Sequence, residues 1–453
     1  MDREVLQGVR DELRTYLSEF DDNFPSKPSR QHMATYVGGQ LGPLARKSVE
    51  RIALEAGVPP RTLQQFLGAY RWDEAEMRSR LREIVARDHP HENALGIIDE
   101  TSFAKKGGKT VGVQRQWCGE TGKVDNCVQT VHLSYAGQDF ATPVDGDLYL
   151  PKDWAEDEER REEAGVPEDV RFRTKWQIAL DLIDRTQRDG VQLTWITADE
   201  AYGRPSAFRE KLAERDLLFV LEIPRDIMGW TPRGLERKRE HRRVDELFKR
   251  GGPSWIDYHV KDSTKGPIVW QVRATRFVPH AGTEWSELWL LIAFNPLTGE
   301  LKYFLSNAPE NTPITNMLTV AFSRWRVERN FQDSKQEIGL NDFEVRTYTA
   351  LQRHLALSMV SHLFLVRAQR LLQEKTETRW PLPQTRTLAN TLVDQTLTEE
   401  QRERNLELLL FKNRYYDRRA KVAERCHAKR RKLDLRDAGF DLRALRRCPA
   451  WPT

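Results

Sequence analysis

The chain has 453 residues, 39% hydrophobic and 31% charged, and 72 Lys and Arg against 68 Asp and Glu leave a formal charge of only +4. With 13 Trp, 11 Tyr and 18 Phe it is too apolar for a disordered polymer, and its length suits roughly two to four domains. No run approaches the roughly 18 consecutive apolar residues that cross a bilayer, and the four cysteines form no CxxC pair, which argues against a disulfide framework or a Cys-type zinc site and points to a reducing cytoplasm.

Residues 1–90 read as helices. Within them, residues 49–67 have the grammar of a helix-turn-helix. Apolar positions keep helical spacing up to Ala56, Gly57 suits a left-handed helix end, and Pro59-Pro60 open a second amphipathic run. That run would present Arg61, Gln64 and Gln65 to DNA as a recognition helix does. An αα-hairpin used only for packing has the same pattern.

From His91 the period changes. Ala94-Leu95-Gly96-Ile97-Ile98 reads as a strand buried on both faces, and it ends at Asp99-Glu100-Thr101. A glycine turn at 105–109 precedes two strand-like runs, 111–117 and 124–133, with a hairpin holding Cys118 and Cys127 as small core residues. The acidic and basic residues of 156–163 are a solvated face, and 174–188 is helix-periodic. A further strand, Leu193 to Ala198, again ends at an acid, Asp199, and another follows at 217–221. Residues 224–305 hold four β-rich pieces (255–260, 268–277, 288–294 and 301–305) punctuated by Gly, Pro and Asn, as in a small antiparallel sheet. Helix returns at Ile314 and continues with breaks to the end, where residues 411–447 carry 14 Lys and Arg against 5 Asp and Glu.

Two carboxylates at strand ends are held by a rigid sheet beside a crevice, where open α/β folds place ligands. Either alone would be an ordinary turn-initiating Asp. The stretch Ala321-Phe322-Ser323-Arg324-Trp325-Arg326-Val327-Glu328 through Lys335 adds a third acid. At about 100° per residue, Arg324, Glu328 and Lys335 fall within about 40° of one line on a helix. That face presents cation, carboxylate, cation, while Trp325, Val327 and Phe331 are apolar enough to pack on a sheet.

At this point the sequence resembles the DDE transposases of bacterial insertion sequences, in the IS-four-like group whose last motif is Tyr-x2-Arg-x3-Glu-x6-Lys. Arg324, Glu328 and Lys335 match that spacing, while Ala321 stands in place of the tyrosine. Asp99 in Ile-Ile-Asp-Glu-Thr and Asp199 in Thr-Ala-Asp-Glu-Ala-Tyr-Gly resemble the first two acids. The likeness covers roughly residues 90–350. It implies an α/β fold with an RNase H-like catalytic core (91–223 and 306–370) and an inserted antiparallel β subdomain (224–305). Flanking these would be a helical DNA-end-binding region (1–90) and a basic helical region (371–453) for DNA contact or dimerisation.

The resemblance further implies that Asp99, Asp199 and Glu328 are catalytic and hold two Mg²⁺ (or Mn²⁺). Three hard oxygen donors suit those ions rather than zinc. Glu100 and Glu200 should not substitute, because adjacent strand residues point to opposite faces. Arg324 and Lys335 would clamp phosphate, and one of Trp230, Trp255, Trp270, Trp285 or Trp289 would hold a flipped base, although core packing is the ordinary role of such residues. The implied activity is cut-and-paste transposition on double-stranded DNA, using terminal inverted repeats and a target, with a dimer in the active complex and no membrane. The cell compartment is the nucleoid-associated bacterial cytoplasm. A metal-dependent DNA nuclease or a domesticated DNA-binding protein on the same fold is the alternative.

Overall fold

The computed structural model describes residues 3–248, 252–280, 287–376, 378–393 and 397–452. Its strands are β1 (Leu95–Ala104), β2 (Gln114–Cys118), β3 (Lys123–Ala136), β4 (Ala141–Tyr149), β5 (Trp195–Ala198), β6 (Leu218–Ile223), β7 (Met228–Trp230), β8 (Arg242–Arg243), β9 (Ile256–Ser263), β10 (Gly266–Pro279), β11 (Leu288–Phe294), β12 (Leu301–Ser306) and β13 (Arg446–Arg447). The helices before the first strand are α1 (Arg3–Ser18), α2 (Lys27–Leu41), α3 (Val49–Glu55), α4 (Pro60–Gly68) and α5 (Glu74–Asp88). Within the sheet-forming region come α6 (Lys152–Glu156), α7 (Glu158–Ala164), α8 (Lys175–Arg188), α9 (Glu200–Gly203), α10 (Ser206–Ala213) and α11 (Pro232–Glu236). After it follow α12 (Ile314–Ala321), α13 (Trp325–Asp333), α14 (Tyr348–Thr376), α15 (Leu382–Val393) and α16 (Glu399–Asp437).

One sheet runs in the order β13-β9-β10-β11-β12-β6-β5-β1-β3, with β2 and β4 sharing the far edge of β3. β1, β5 and β6 are parallel; β3 runs antiparallel to β1, and β4 antiparallel to β3. The four strands β9 to β12 are antiparallel, as their punctuation predicts. They do not stand apart as a separate layer, because β12 pairs with β6 and carries the sheet on.

The uninterrupted apolar runs of β1 and β5 follow from helices covering both faces. Leu95 and Ile97 join Met317 and Val320 of α12 and Val327 and Phe331 of α13 in one core. Ile98 and Ile196 face the other way, into a core with Ile178, Leu182 and Ile183 of α8. A capping box starts α8: the Thr174 hydroxyl accepts from Gln177 N–H, and the Gln177 carboxamide accepts from Thr174 N–H. β4 escapes a hydrophobicity scan because it contains Pro143, Asp145, Gly146 and Asp147. Its buried acids are neutralised instead, Asp145 by Arg82 and Arg185 at 3.0 and 2.8 Å and Asp147 by Arg173 at 2.9 Å.

Two short helices, α3 and α4, form over residues 49–68, an arrangement common to a helix-turn-helix and to a packing αα-hairpin. Gly57 sits at φ +66°, a left-handed conformation that ends α3, and α4 buries Leu63, Phe66 and Leu67. α14 is long and apolar enough to cross a membrane by composition, yet most of it lies inside the fold. It is the core helix of the N-terminal bundle, where Tyr36 pairs with His354 at 2.9 Å and Gln40 donates to Ser358 at 2.9 Å. Helix does not continue to the end of the chain. α16 stops at Asp437, and β13 returns to pair in parallel with β9.

Candidate active site

Alternation along β1 decides which acid faces which core. Asp99 continues the parity of Leu95 and Ile97 toward α12 and α13, whereas Glu100 continues that of Ile98 toward α8. β5 pairs with β1 only at Leu95–Ile97, so beyond that point β1 borders a crevice instead of a neighbour. Asp199, the residue after β5, stands at the head of that crevice. It caps α9, with its carboxylate accepting from Ala201 N–H at 3.0 Å.

The structure therefore brings Asp99 and Asp199 together. Burial pushes the Asp99 carboxyl up to about 7, the charge of Asp199 adds to that, and Arg324 pulls the other way. Burial also raises Asp199, followed by the charge of Glu100. Glu328 does not join the pair directly. It is half-exposed, at 56% of its side-chain surface, and it meets Arg324 Nη2 at 2.8 Å, while Nη1 of the same guanidinium lies 3.2 Å from Asp99 Oδ2. Burial disfavours the Arg324 cation, but Asp99, Glu328, Glu222 and Asp199 together hold its pKa above the ordinary value.

The helix carrying this face differs from the continuous one expected from spacing. α12 ends at Ala321, residues 322–324 form a turn in which the Ser323 hydroxyl bonds back to the Thr319 carbonyl at 2.6 Å, and α13 begins at Trp325. Arg324 and Glu328 still make an i,i+4 pair across that start. Lys335 does not share their face. Residues Ser334–Ile338 form a π turn, whose extra residue per turn rotates the side chain away. Its ammonium donates to the Ser102 carbonyl at 3.1 Å and sits over the Phe103 ring at 5.3 Å, so it braces β1 beyond the acids. Arg61, Gln64 and Gln65 lie exposed on α4.

Among the tryptophans, Trp230 and Trp270 are buried. Trp255 packs under Arg273, and Trp289 under Arg276. Trp285 lies outside the described residues.

Spacing missed the other half of the crevice. Glu100 binds Lys175 of α8 at 2.6 Å, and its charge reaches Asp199 and the buried hydroxyl of Tyr202. The clue was its position beside Asp99, discounted because strand alternation separates the two; Asp199, at the sheet's end, feels both faces. Next to Asp199 opens a polar cavity of about 710 Å³, lined by Glu200, Glu222, Arg225, Arg243, Lys302 and Tyr303.

Asp99 and Asp199 stand side by side, while Glu328 is held apart from them by Arg324. Among the described residues no three acid, His or Cys side chains converge at ligand spacing. Two partly buried carboxylates with raised pKa values nonetheless form a hard oxygen donor pair that fits a divalent cation. Glu328 would complete the set on release from Arg324.

Comparison with known proteins follows the same residues. The family described as DDE superfamily endonuclease matches residues 19–261, and the transposase DDE domain matches residues 173–364. The chain is 26% identical over 344 residues to a probable transposase for insertion sequence element IS701 of Microchaete diplosiphon, covering 74% of this chain and 82% of that protein. Among solved structures it is similar to piggyBac transposase in a synaptic complex with hairpin DNA, at 11% identity and a TM-score of 0.43 over 84% of this chain and 76% of that one. It is also similar to the NurA nuclease of Sulfolobus solfataricus, at 10% identity and a TM-score of 0.21 over 68% and 94%.

Proposed function

We propose a function from one premise: this chain belongs to the DDE superfamily of endonucleases and carries a transposase DDE domain. It is then a cut-and-paste transposase of a bacterial insertion sequence, acting on double-stranded DNA in the bacterial cytoplasm. The observation that carries this reading is the meeting of Asp99 with Asp199, with Arg324 tying in Glu328. β1 does not stop at Asp99 as its apolar run suggested but continues to Ala104, so Asp99 lies mid-strand just past the pairing with β5, beside Asp199 at the end of β5. The order β4-β3-β1-β5-β6, three antiparallel strands followed by two parallel to the first, supports an RNase H-like core.

Asp99, Asp199 and Glu328 would hold two divalent cations, Mg²⁺ or Mn²⁺, which when bound neutralise phosphate charge and activate the attacking oxygen. The chain's own groups do the rest. Arg324 now satisfies two carboxylates on separate elements, and the backbone phosphate of DNA would offer two oxygens of one group in the bidentate geometry a guanidinium prefers. Exchange of carboxylate for phosphate frees Asp99 and Glu328 as DNA arrives. Water then displaces the 3′-oxygen at an element end, leaving a 3′-hydroxyl. That hydroxyl attacks a target phosphodiester and joins it, releasing a 3′-oxygen from the target. Lys335 keeps β1 in place beneath the reacting phosphate. α4, through Arg61, Gln64 and Gln65, distinguishes end DNA from other DNA, and the basic C-terminal helix grips phosphate.

Incubation with the terminal repeats bordering its gene, Mn²⁺ and a supercoiled plasmid tests this reading. Excised and joined products support transposition. Cleavage without joining would reduce the protein to a nuclease, and binding without cleavage to a regulator.

A further inference from the structure

We propose that the β2–β3 hairpin is a wedge for target DNA, inserting Trp117 into a base step close to Asp99 and Asp199. The two strands pair Trp117 with Val124 and Arg115 with Asn126, so alternation puts all four on one face. That face looks into solvent, with Trp117 60% and Val124 51% exposed. Cations surround the apolar pair. Arg115 shares its face and Lys123 adjoins Val124. Asn126 holds the loop of Lys106, Gly107 and Gly108 against the hairpin, its carboxamide donating to the carbonyls of Lys105 and Gly107 at 2.8 and 2.9 Å. Arg115 and Lys106 are exposed, and among the described residues neither forms an ion pair. An apolar wedge ringed by such cations matches a duplex, where stacked bases lie between phosphates.

The hairpin is anchored beside the acids. The Gly119 N–H donates to Ser102 Oγ at 3.2 Å, Glu120 accepts from the Ala104 N–H at 2.7 Å, and Gln129 donates to the Trp117 carbonyl at 2.7 Å. Ser102 follows Asp99 along β1 by about 10 Å, and Lys335 grips its carbonyl. A step opened at Trp117 is therefore held at a fixed place relative to Asp99. What the wedge can read favours target DNA over an element end. An indole and an isopropyl group offer almost no hydrogen-bonding pattern, so they sense how readily a step unstacks and accept any sequence. Element ends keep one sequence, whereas the target changes with each insertion.

The target step rests on the transposase reading, so the first test needs no chemistry. The full chain should bind a duplex unrelated to the element ends about tenfold more tightly when one central base pair is mismatched, because that step is already loosened. Trp117→Ala should lose this preference and keep the parent's melting temperature, and Trp117→Phe, still a wedge, should retain it. In the reaction, Trp117→Ala should lower target joining about tenfold relative to end cleavage, the worth of one stacked base. A mismatched target should restore joining. A parent indifferent to the mismatch overturns the proposal whether or not it cuts DNA, and so does a Trp117→Ala variant that keeps the preference. Joining and cleavage that fall together in Trp117→Ala overturn it too, since the hairpin would then serve the element end. A parent that prefers the mismatch but never cleaves element ends would sink the transposase reading and leave the wedge standing.

Discussion

Arg324 reaches across the mouth of the crevice to Asp99, with Nη1 3.2 Å from Oδ2. The contact does not suffice to make Asp99 an ordinary carboxylate: burial and the neighbouring Asp199 still hold its pKa up to about 7. The site thus carries an excess of negative charge that its one bridging cation does not cancel. Each prediction below draws on that imbalance or on the surfaces around it.

The first concerns pH. A carboxyl whose pKa is raised on folding stabilises the fold fully below its unfolded value, about 3.9, and loses that contribution as pH rises through about 7. Asp199 is shifted in the same direction. The metal-free chain should therefore melt at progressively lower temperature from about pH 4 to pH 7. Asp99→Asn should flatten most of that slope, melt higher than the parent at pH 8, and abolish cleavage. Melting curves over a pH series would expose the opposite case, an Asp99→Asn variant with the parent's slope.

Arg324 and Lys335 should separate, although their spacing suggested equivalent roles. Arg324→Ala removes the guanidinium proposed to take the phosphate and should weaken active-site DNA engagement, leaving residual cleavage at high DNA concentration. Lys335→Ala removes a brace on Ser102 and should cost about 1 kcal/mol of stability, with the smaller effect on DNA affinity. Equal losses of affinity without a change in melting would return Lys335 to the phosphate.

For the surfaces proposed to bind DNA, salt dependence is the discriminating measurement. Charge reversal at Lys429 and Arg430 on α16 should weaken specific and nonspecific binding alike and flatten the salt dependence. Substitution of Arg61, Gln64 and Gln65 should instead narrow the preference for end DNA over random DNA. Identical behaviour of the two sets would reduce α3 and α4 to a packing hairpin.

Much of this architecture was legible in the residues. Buried strands show themselves as apolar runs when both faces are covered, so β1, β5 and β6 were visible, and the acids followed from where the runs stop. β4 was not, because its Asp145 and Asp147 are satisfied by arginines distant in sequence, which no local pattern reveals. Continuity of β12 with β6 was hidden for a similar reason: punctuation marks strand ends but not strand neighbours. Lys335 was misplaced because a constant turn per residue cannot foresee the π turn at Ser334–Ile338. Glu100 was discounted by strand alternation, a rule that holds along β1 but not for Asp199 at the sheet's end.

The most direct test of the account is Glu328→Gln, assayed for Mn²⁺-dependent cleavage of end DNA beside metal-free binding of the same DNA. The variant keeps the shape of the side chain and gives up only the charge now shared with Arg324, so its melting point should change little, by less than about 1 kcal/mol of stability. Cleavage should fall by about two orders of magnitude or more, because the third of the proposed metal-holding acids is lost. Metal-free binding should persist or tighten, because one carboxylate fewer repels the phosphate. Cleavage at the parent's rate by Glu328→Gln would contradict the three-acid site outright and leave Glu328 as no more than the salt-bridge partner of Arg324.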